Sequence, residues 1–168
     1  AARNASGEPL AAAIAGAGIA GRPPARFEEG RYRAYLEAHI EQGPRLEAEG
    51  LRIGIVTAIV GIRRYRVTFT GRADHAGTTP MDMRLDAGSA SIRAAGDLID
   101  VFERHAGPET VWNIGKLIFE PGAANVVPSS AEFLFEFRDT NTVVMDALEQ
   151  RLHEIVREAN AAGSVIVS

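Results

Sequence analysis

Cysteine is absent from the 168 residues, which excludes disulfides and thiolate metal sites and fits a reducing cytoplasm. Long apolar runs are absent too: none approaches the ~20 residues that span a bilayer. The Ala-rich N-terminal stretch lacks the charged-then-apolar layout of a secretory signal. A cytoplasmic chain without a membrane partner is therefore expected. No single sign of charge dominates, and a net charge of −4 gives no general pull toward nucleic acid or anionic lipid. Arg63, Arg64 and Arg66 share one segment, but Arg66 alternates with Tyr65 and Val67 as the polar face of a strand would, so no nucleic-acid partner is expected. Neither a Gly-x-Ser-x-Gly elbow nor a phosphate loop occurs. What remains, 46% apolar and 24% charged, describes a soluble globular domain with room for a flanking piece.

Residues 1–24 are small and loose in composition. Leu10 to Ile14 predict a short helix ended by Gly16, Gly18, Gly21, Pro23 and Pro24. Gly16, Gly18 and Gly21 spell a dinucleotide fingerprint, but that motif needs a strand before it and a helix opening on its last glycine. Here an Ala-rich helix precedes it and Arg22-Pro23-Pro24 follows. Residues 31–49 predict a strand with apolar points at Tyr35, Leu36 and Ile40, then a Gly43-Pro44 turn and a short helix. Ile53 to Val60 is a β-branched run, and 62–70 alternates with Tyr65, Val67 and Phe69 on one face. A glycine-bearing loop from Gly71 to Met83 leads into a helix over about 85–105 with the stripe Ile92, Ala95, Ile99 and Phe102. Strands at Val111 to Phe119 and Ala131 to Arg138 follow, the second with Phe133, Phe135 and Phe137 on one face. Asp139 or Asn141 can cap the next helix, over about 142–161, with the stripe Val144, Leu148, Leu152 and Ile155. A last strand is expected from Ser164, and the chain ends within it at Ser168, as a cut end would. From 62 onward the order is β-α-β-β-α-β, so the expected class is α+β: a ferredoxin-like antiparallel sheet with two helices on one face.

Three polar segments sit where packing alone would not place them. His39 lies at an expected strand end beside Glu41, Gln42 and Gly43; it suits a metal ligand or a partly exposed imidazole bonded to a loop. Ala73-Asp74-His75-Ala76-Gly77-Thr78-Thr79-Pro80 puts an imidazole and two hydroxyls in one loop, either facing a ligand or forming an ordinary turn. Asn125, ahead of Val-Val-Pro128, and Arg138 on the following strand could hold a carboxylate, since a guanidinium grips one through two parallel bonds. Arg138 could equally form a salt bridge to Glu132, Glu136 or Asp139. His105, His153 and the Glu28-Glu29 pair are expected to be solvated.

Together HIEQGPRLE at 39–47, IGIVTAIVGIRRYRVTFTGRADHAGTTPMDMRLDA at 53–87 and GAANVVPSSAEFLFEFRD at 122–139 resemble one family. It is the N-carbamoyl-L-amino-acid hydrolase, ureidopropionase and allantoate amidohydrolase branch of the aminoacylase and metallocarboxypeptidase superfamily. The match covers nearly all of 31–139. The resemblance implies a catalytic domain with two divalent metals (Zn, Mn, Co or Ni) and an inserted ferredoxin-like lid that pairs with its twin as a homodimer. It implies metal ligation by His39, substrate contact by Gln42, oxyanion stabilisation by His75, and substrate binding by Asn125 and Arg138, the arginine taking the carboxylate. The reaction implied is metal-promoted hydrolysis of a linear ureido or amide carbon–nitrogen bond in a small carboxylate.

The family's other ligands are missing, for no His-x-Asp occurs and Glu28-Glu29 lacks the surroundings of the family's glutamate pair. The expectation is thus a fragment: 1–49 a flank of a mostly absent catalytic domain, 50–168 the dimerisation lid, inactive and without stably bound metal by itself. The alternative is a standalone, non-catalytic dimerisation or ligand-binding module.

Overall fold

The computed structural model describes residues 2–23, 26, 28–162 and 166–167. The chain divides into two compact units, Ala1–Gly54 and Ile55–Ser168.

Among the described residues of the first unit, none is buried. Its helices are α1 (Leu10–Gly16) and α2 (Arg45–Ala48). Helix α1 forms in the Ala-rich stretch as expected, and no helix opens on Gly21, so the glycine run lacks both flanks that a phosphate cradle requires. Pro24 lies outside the described residues. Helix α2 follows the Gly43-Pro44 turn, and the Glu41 carboxylate accepts from the backbone N–H groups of Arg45 and Leu46, each at 3.0 Å. Those are orphan donors of a helix start, and a carboxylate there is favoured by the helix dipole as well.

The strand expected within 31–49 does not form. Tyr35, Leu36 and Ile40 are 77%, 94% and 75% exposed, and no ladder partner lies beside them among the described residues. A strand is a pairing, and apolar spacing without a neighbour to take its N–H and C=O groups leaves the segment extended and irregular. The run Ile53 to Val60 is likewise no strand, and it is exposed throughout.

In the second unit, β1 (Gly61–Thr70), α3 (Ala87–His105), β2 (Val111–Glu120), β3 (Ser130–Asp139), α4 (Thr142–Ala161) and β4 (Ile166–Val167) follow the expected order. The sheet order is β2-β3-β1-β4 with antiparallel neighbours. This is the ferredoxin-like α+β arrangement. β1 and β3 pair without a slip from Gly61 opposite Asp139 to Thr70 opposite Ser130. β2 shifts register between Ile114 and Lys116, around Gly115, where a bulge suits a residue without a side chain. Ser164 and Ser168 of the expected last strand lie outside the described residues.

Alternation decides which side becomes core. Val67 and Phe69 of β1 and Phe133, Phe135 and Phe137 of β3 are buried beneath both helices. Phe102 from α3 closes the cluster, with ring centroids 4.8 Å from Phe135, 5.1 Å from Phe137 and 5.8 Å from Trp112. Edge-to-face and tilted geometries of this kind add to simple area burial. The helices of this unit leave the opposite face uncovered; it carries Arg64, Arg66, Glu132, Leu134, Glu136 and Arg138.

The α3 stripe differs from expectation by one residue of rotation, while on α4 Leu148, Leu152 and Ile155 are buried as expected and only the first position differs. On α3 the buried line is Ser91, Ala94, Ala95, Leu98 and Phe102, while Ile92 is 56% exposed. One residue is 100° of turn, so the expected and observed lines share Ala95 and Phe102 and part at their other positions. Ser91 tolerates burial because its hydroxyl donates to the Gly88 carbonyl at 2.8 Å. On α4 Met145 takes the buried place and Val144 is half-buried. Asp86 caps α3, accepting from the Ser89 N–H at 2.9 Å. Asn141, rather than Asp139, caps α4, accepting from the Val143 N–H at 2.9 Å. No helix among the described residues is long and apolar enough to cross a membrane.

Phe102→Ala should lower the unfolding free energy by about 3–5 kcal/mol, because it opens a cavity among rings that cannot follow it. Ile92→Ala should cost at most about 0.5 kcal/mol. Urea unfolding of the two variants checks the rotation of α3; equal losses would contradict it.

Candidate functional site

The loop after β1 and the loop before β3 leave the sheet at the same end, since Thr70 and Ser130 are register partners. They stay together. The Gly71 N–H donates to the Ser129 carbonyl at 2.8 Å, the Val127 N–H to the Asp74 carbonyl at 2.8 Å, and the Ala76 N–H to the Asn125 carbonyl at 3.0 Å. His75 and Val126 thus form an antiparallel bridge that extends the β1–β3 ladder beyond the sheet. Gly71 is required at the start, because a Cβ there would lie 2.0 Å from the Leu85 carbonyl oxygen.

Two arginines brace the loop. Arg84 donates from Nε to the Thr79 carbonyl at 3.0 Å and from Nη2 to the Ala76 carbonyl at 2.6 Å. Arg72 donates from Nε to Asp74 at 3.0 Å and from Nη2 to the Met83 carbonyl at 2.9 Å. Sequence reasoning passed over both, since a bond to a backbone carbonyl leaves no periodic trace.

The His75 ring is exposed, and its Nδ1 lies 3.0 Å from the Gly77 N–H. A backbone N–H can only donate, so Nδ1 is the acceptor and the neutral ring carries its proton on Nε2. The free edge of the imidazole is therefore a hydrogen-bond donor. Asn125, one residue from the bridge, exposes its carboxamide at the same end. The backbones that carry His75 and Asn125, from distant segments, are thereby held beside one another in one frame.

Arg138 is not with them. It sits opposite Ile62 and Val111 at the far end of the sheet. Eight residues of β3 separate it from Ser130, a span of about 26 Å at ~3.3 Å per residue. There the salt-bridge alternative holds: Arg138 donates to the Oε1 of Glu136 from Nε at 2.6 Å, with its Nη2 2.5 Å from the same oxygen. The Nε of Arg64 reaches the other oxygen of Glu136. The hydrogen bond from Arg64, then that from Arg138, holds the Glu136 carboxyl below the usual carboxylate range. Beside this cluster the open face has a depression of about 540 Å³, lined by Arg64, Arg66, Asn113, Leu134 and Glu136 among others.

His39 and Gln42 belong to the first unit. His39 is exposed, with Nδ1 2.5 Å from the Ile40 carbonyl oxygen. Gln42 is exposed and takes a left-handed backbone, φ 56°, at the turn into α2. His105, His153, Glu28 and Glu29 are exposed as expected. Among the described residues no three His, Cys, Asp or Glu side chains converge as a metal site. The donor set of this chain does not fit a two-metal centre, which asks for about three protein ligands per ion.

A family model described as Peptidase dimerisation domain matches residues 57–164. The chain belongs to that family. Over 166 residues it is 40% identical to the N-carbamoyl-L-amino acid amidohydrolase of Geobacillus stearothermophilus, an alignment covering 94% of this chain and 40% of the relative. It is 41% identical to the allantoate amidohydrolase of Escherichia coli (strain K12) over 125 residues, 74% of this chain and 30% of the relative. The crystal structure of an amidase (hydantoinase/carbamoylase family) from Burkholderia phymatum superposes with a TM-score of 0.87 at 44% identity, covering 99% of this chain and 41% of that one. The group resembled in sequence is thus the group to which these relatives belong, and the chain corresponds to its dimerisation domain. It spans well under half the length of each of these relatives.

Asp139, next to Arg138, ends β3 as a buried carboxylate that accepts from Thr110 Oγ1 at 2.5 Å and from the Asn141 N–H at 2.7 Å. Those bonds, Thr110 first, hold its carboxyl below the ordinary value of 3.8. A folded-state value below the unfolded one stabilises at pH above the unfolded value, and that stability is lost as pH falls through the folded value. Asp139→Asn should therefore be less stable than the parent at neutral pH. The gap should close as pH drops below 3.8; chemical denaturation across pH measures it, and a gap constant into acid would contradict the assignment.

Proposed function

We propose that this chain is the lid and dimerisation part of a longer metal-dependent hydrolase. Its substrates are small carboxylates bearing a linear ureido or amide group, of the allantoate or N-carbamoyl-amino-acid kind. Residues 1–49 are a flank of its catalytic domain, carrying His39 as a metal ligand and Gln42 near the substrate. The chain by itself is inactive. The observation that carries this reading is the backbone ladder that holds the His75 Nε2–H donor beside Asn125, in a chain whose relatives are named as amidohydrolases. A donor such as the His75 ring, oriented by the Gly77 N–H before charge appears, is what a developing oxyanion needs. Arg138 takes the substrate carboxylate.

The separation of the two groups calls for a homodimer. One lid cannot bring His75 and Arg138 to a single small substrate across a sheet about 26 Å long. β2 is an edge strand, and an edge invites pairing with a second copy. If two β2 strands pair antiparallel about a two-fold axis, the sheets become continuous and their open faces stay on one side. The His75 end of one lid then lies on the same side as the Arg138 end of its twin. Each substrate would be gripped by the carboxylate anchor of one lid and polarised by the donors of the other.

In the longer protein, His75→Ala should lower kcat by about 10²–10³-fold, and Arg138→Ala should raise KM for carboxylate substrates. At substrate concentrations well below the raised KM, where each variant alone turns over little, mixing the two should restore about a quarter of wild-type activity, since half the dimers would be mixed and each would hold one intact site. No recovery on mixing would refute the shared site, and no turnover of any ureido carboxylate would refute the hydrolase reading.

A further inference from the structure

We propose that Glu136 is a positioning residue for carboxylate recognition: it fixes the Arg138 guanidinium edge-on and leaves the far end of the fork for one incoming carboxylate. The proposal rests on the reading of Arg138 given above. Glu136 and Arg138 are two residues apart on one strand, so their side chains rise from the same face of the sheet. The Nε and Nη2 of Arg138 converge on a single oxygen, Oε1 of Glu136, at 2.6 and 2.5 Å. A guanidinium has five N–H donors in a rigid plane. With the Nε edge occupied, the remaining donors point away from Glu136, and the end formed by the two terminal nitrogens can take a carboxylate through two parallel bonds.

Arg64 completes the device. Its Nε reaches the second oxygen of Glu136 from the neighbouring strand, where the two residues are register partners. Without Arg64, Glu136 would cancel the charge that Arg138 offers to a substrate. Two guanidiniums around one carboxylate leave the cluster with a single net positive charge, matched to one carboxylate. The second acidic group on this face is held more loosely, Glu132 lying 3.3 Å from Arg66 and 3.4 Å from Lys116.

Stability does not explain the arrangement. The side chains of Glu136, Arg138 and Arg64 are 26%, 39% and 69% exposed, and ion pairs this open add little net stability. Orientation is another matter, because a free arginine must lose its rotamer freedom when it binds, and one already held has lost it.

The test uses the longer protein with N-carbamoylglycine and its neutral counterpart N-carbamoylglycinamide. Glu136→Ala should raise KM for the acid about tenfold with kcat little changed, leave the amide unaffected and leave the melting temperature in place. Glu136→Gln keeps one acceptor oxygen and should fall between the parent and the alanine variant. If Glu136 instead competed with substrate, removing it would lower KM for the acid; a lower or unchanged KM overturns the proposal. Arg138→Ala separates the two ideas: if it leaves the preference for the acid intact, the role of Arg138 is wrong. If it abolishes that preference while Glu136→Ala does not weaken it, only the role of Glu136 is wrong. On this chain itself, the Arg138 Nε–H proton should be protected from solvent exchange, remain so in Glu136→Gln and exchange freely in Glu136→Ala. Free exchange in the parent would overturn the proposal without any turnover assay.

Discussion

Ten consecutive residue pairs, from Gly61 opposite Asp139 to Thr70 opposite Ser130, lock β1 to β3, and nearly everything else in the second unit follows from that register. It sets Val67 and Phe69 beside Phe133 and Ala131 on the face the helices cover. It sets Arg64 beside Glu136 and Arg66 beside Leu134 on the face they do not. At one end it releases two loops side by side, close enough to continue the ladder through His75 and Val126. A slip of one residue would exchange the faces and bury the arginines, at a cost no core of this size could offset.

The two faces differ in kind. The covered face is held by burial of rings and aliphatic side chains, which depends on the apolar area removed from water and not on charge. The open face is held by exposed ion pairs, which contribute little to stability and much to where charged groups point. A core that does not need the polar face leaves that face available for recognition. The same division explains why Asp139 is the exception: it is a buried carboxylate, but it sits where the sheet meets the turn into α4 and is paid in hydrogen bonds from Thr110 and Asn141.

Legibility in the sequence followed the range of the interactions. Period-two alternation in 62–70 and 131–138 and the helix punctuation at Asn141 are local, and the elements they announce are present. The segments 31–40 and 53–60 show the limit. Their β-branched and aromatic residues resemble strands, but a strand exists only with a neighbour, and Ile53, Ile55 and Ile59 stand 83%, 89% and 90% exposed. Ile92 shows a subtler limit, since apolar spacing on α3 admits two lines one residue apart that share Ala95 and Phe102, and the burial of Ser91, Ala94 and Leu98 in place of Ile92 decides between them.

From residue 62 onward the sequence by itself determined the order of elements and the identity of the core strands, because each rests on spacing along a few turns or a few strand positions. Tertiary structure alone decided how the polar residues relate. It placed His75 with Asn125 and Arg138 far from both, turned the histidine's Nδ1 onto the Gly77 N–H, and closed Arg138 and Arg64 on Glu136. The meeting of His75 with Asn125 and of Arg64 with Glu136 follows from register and from loops meeting across a sheet. The Gly77 and Arg138 bonds span two residues and follow from the local backbone that this frame imposes. Residues fifty or more positions apart meet through pairings that no local pattern encodes.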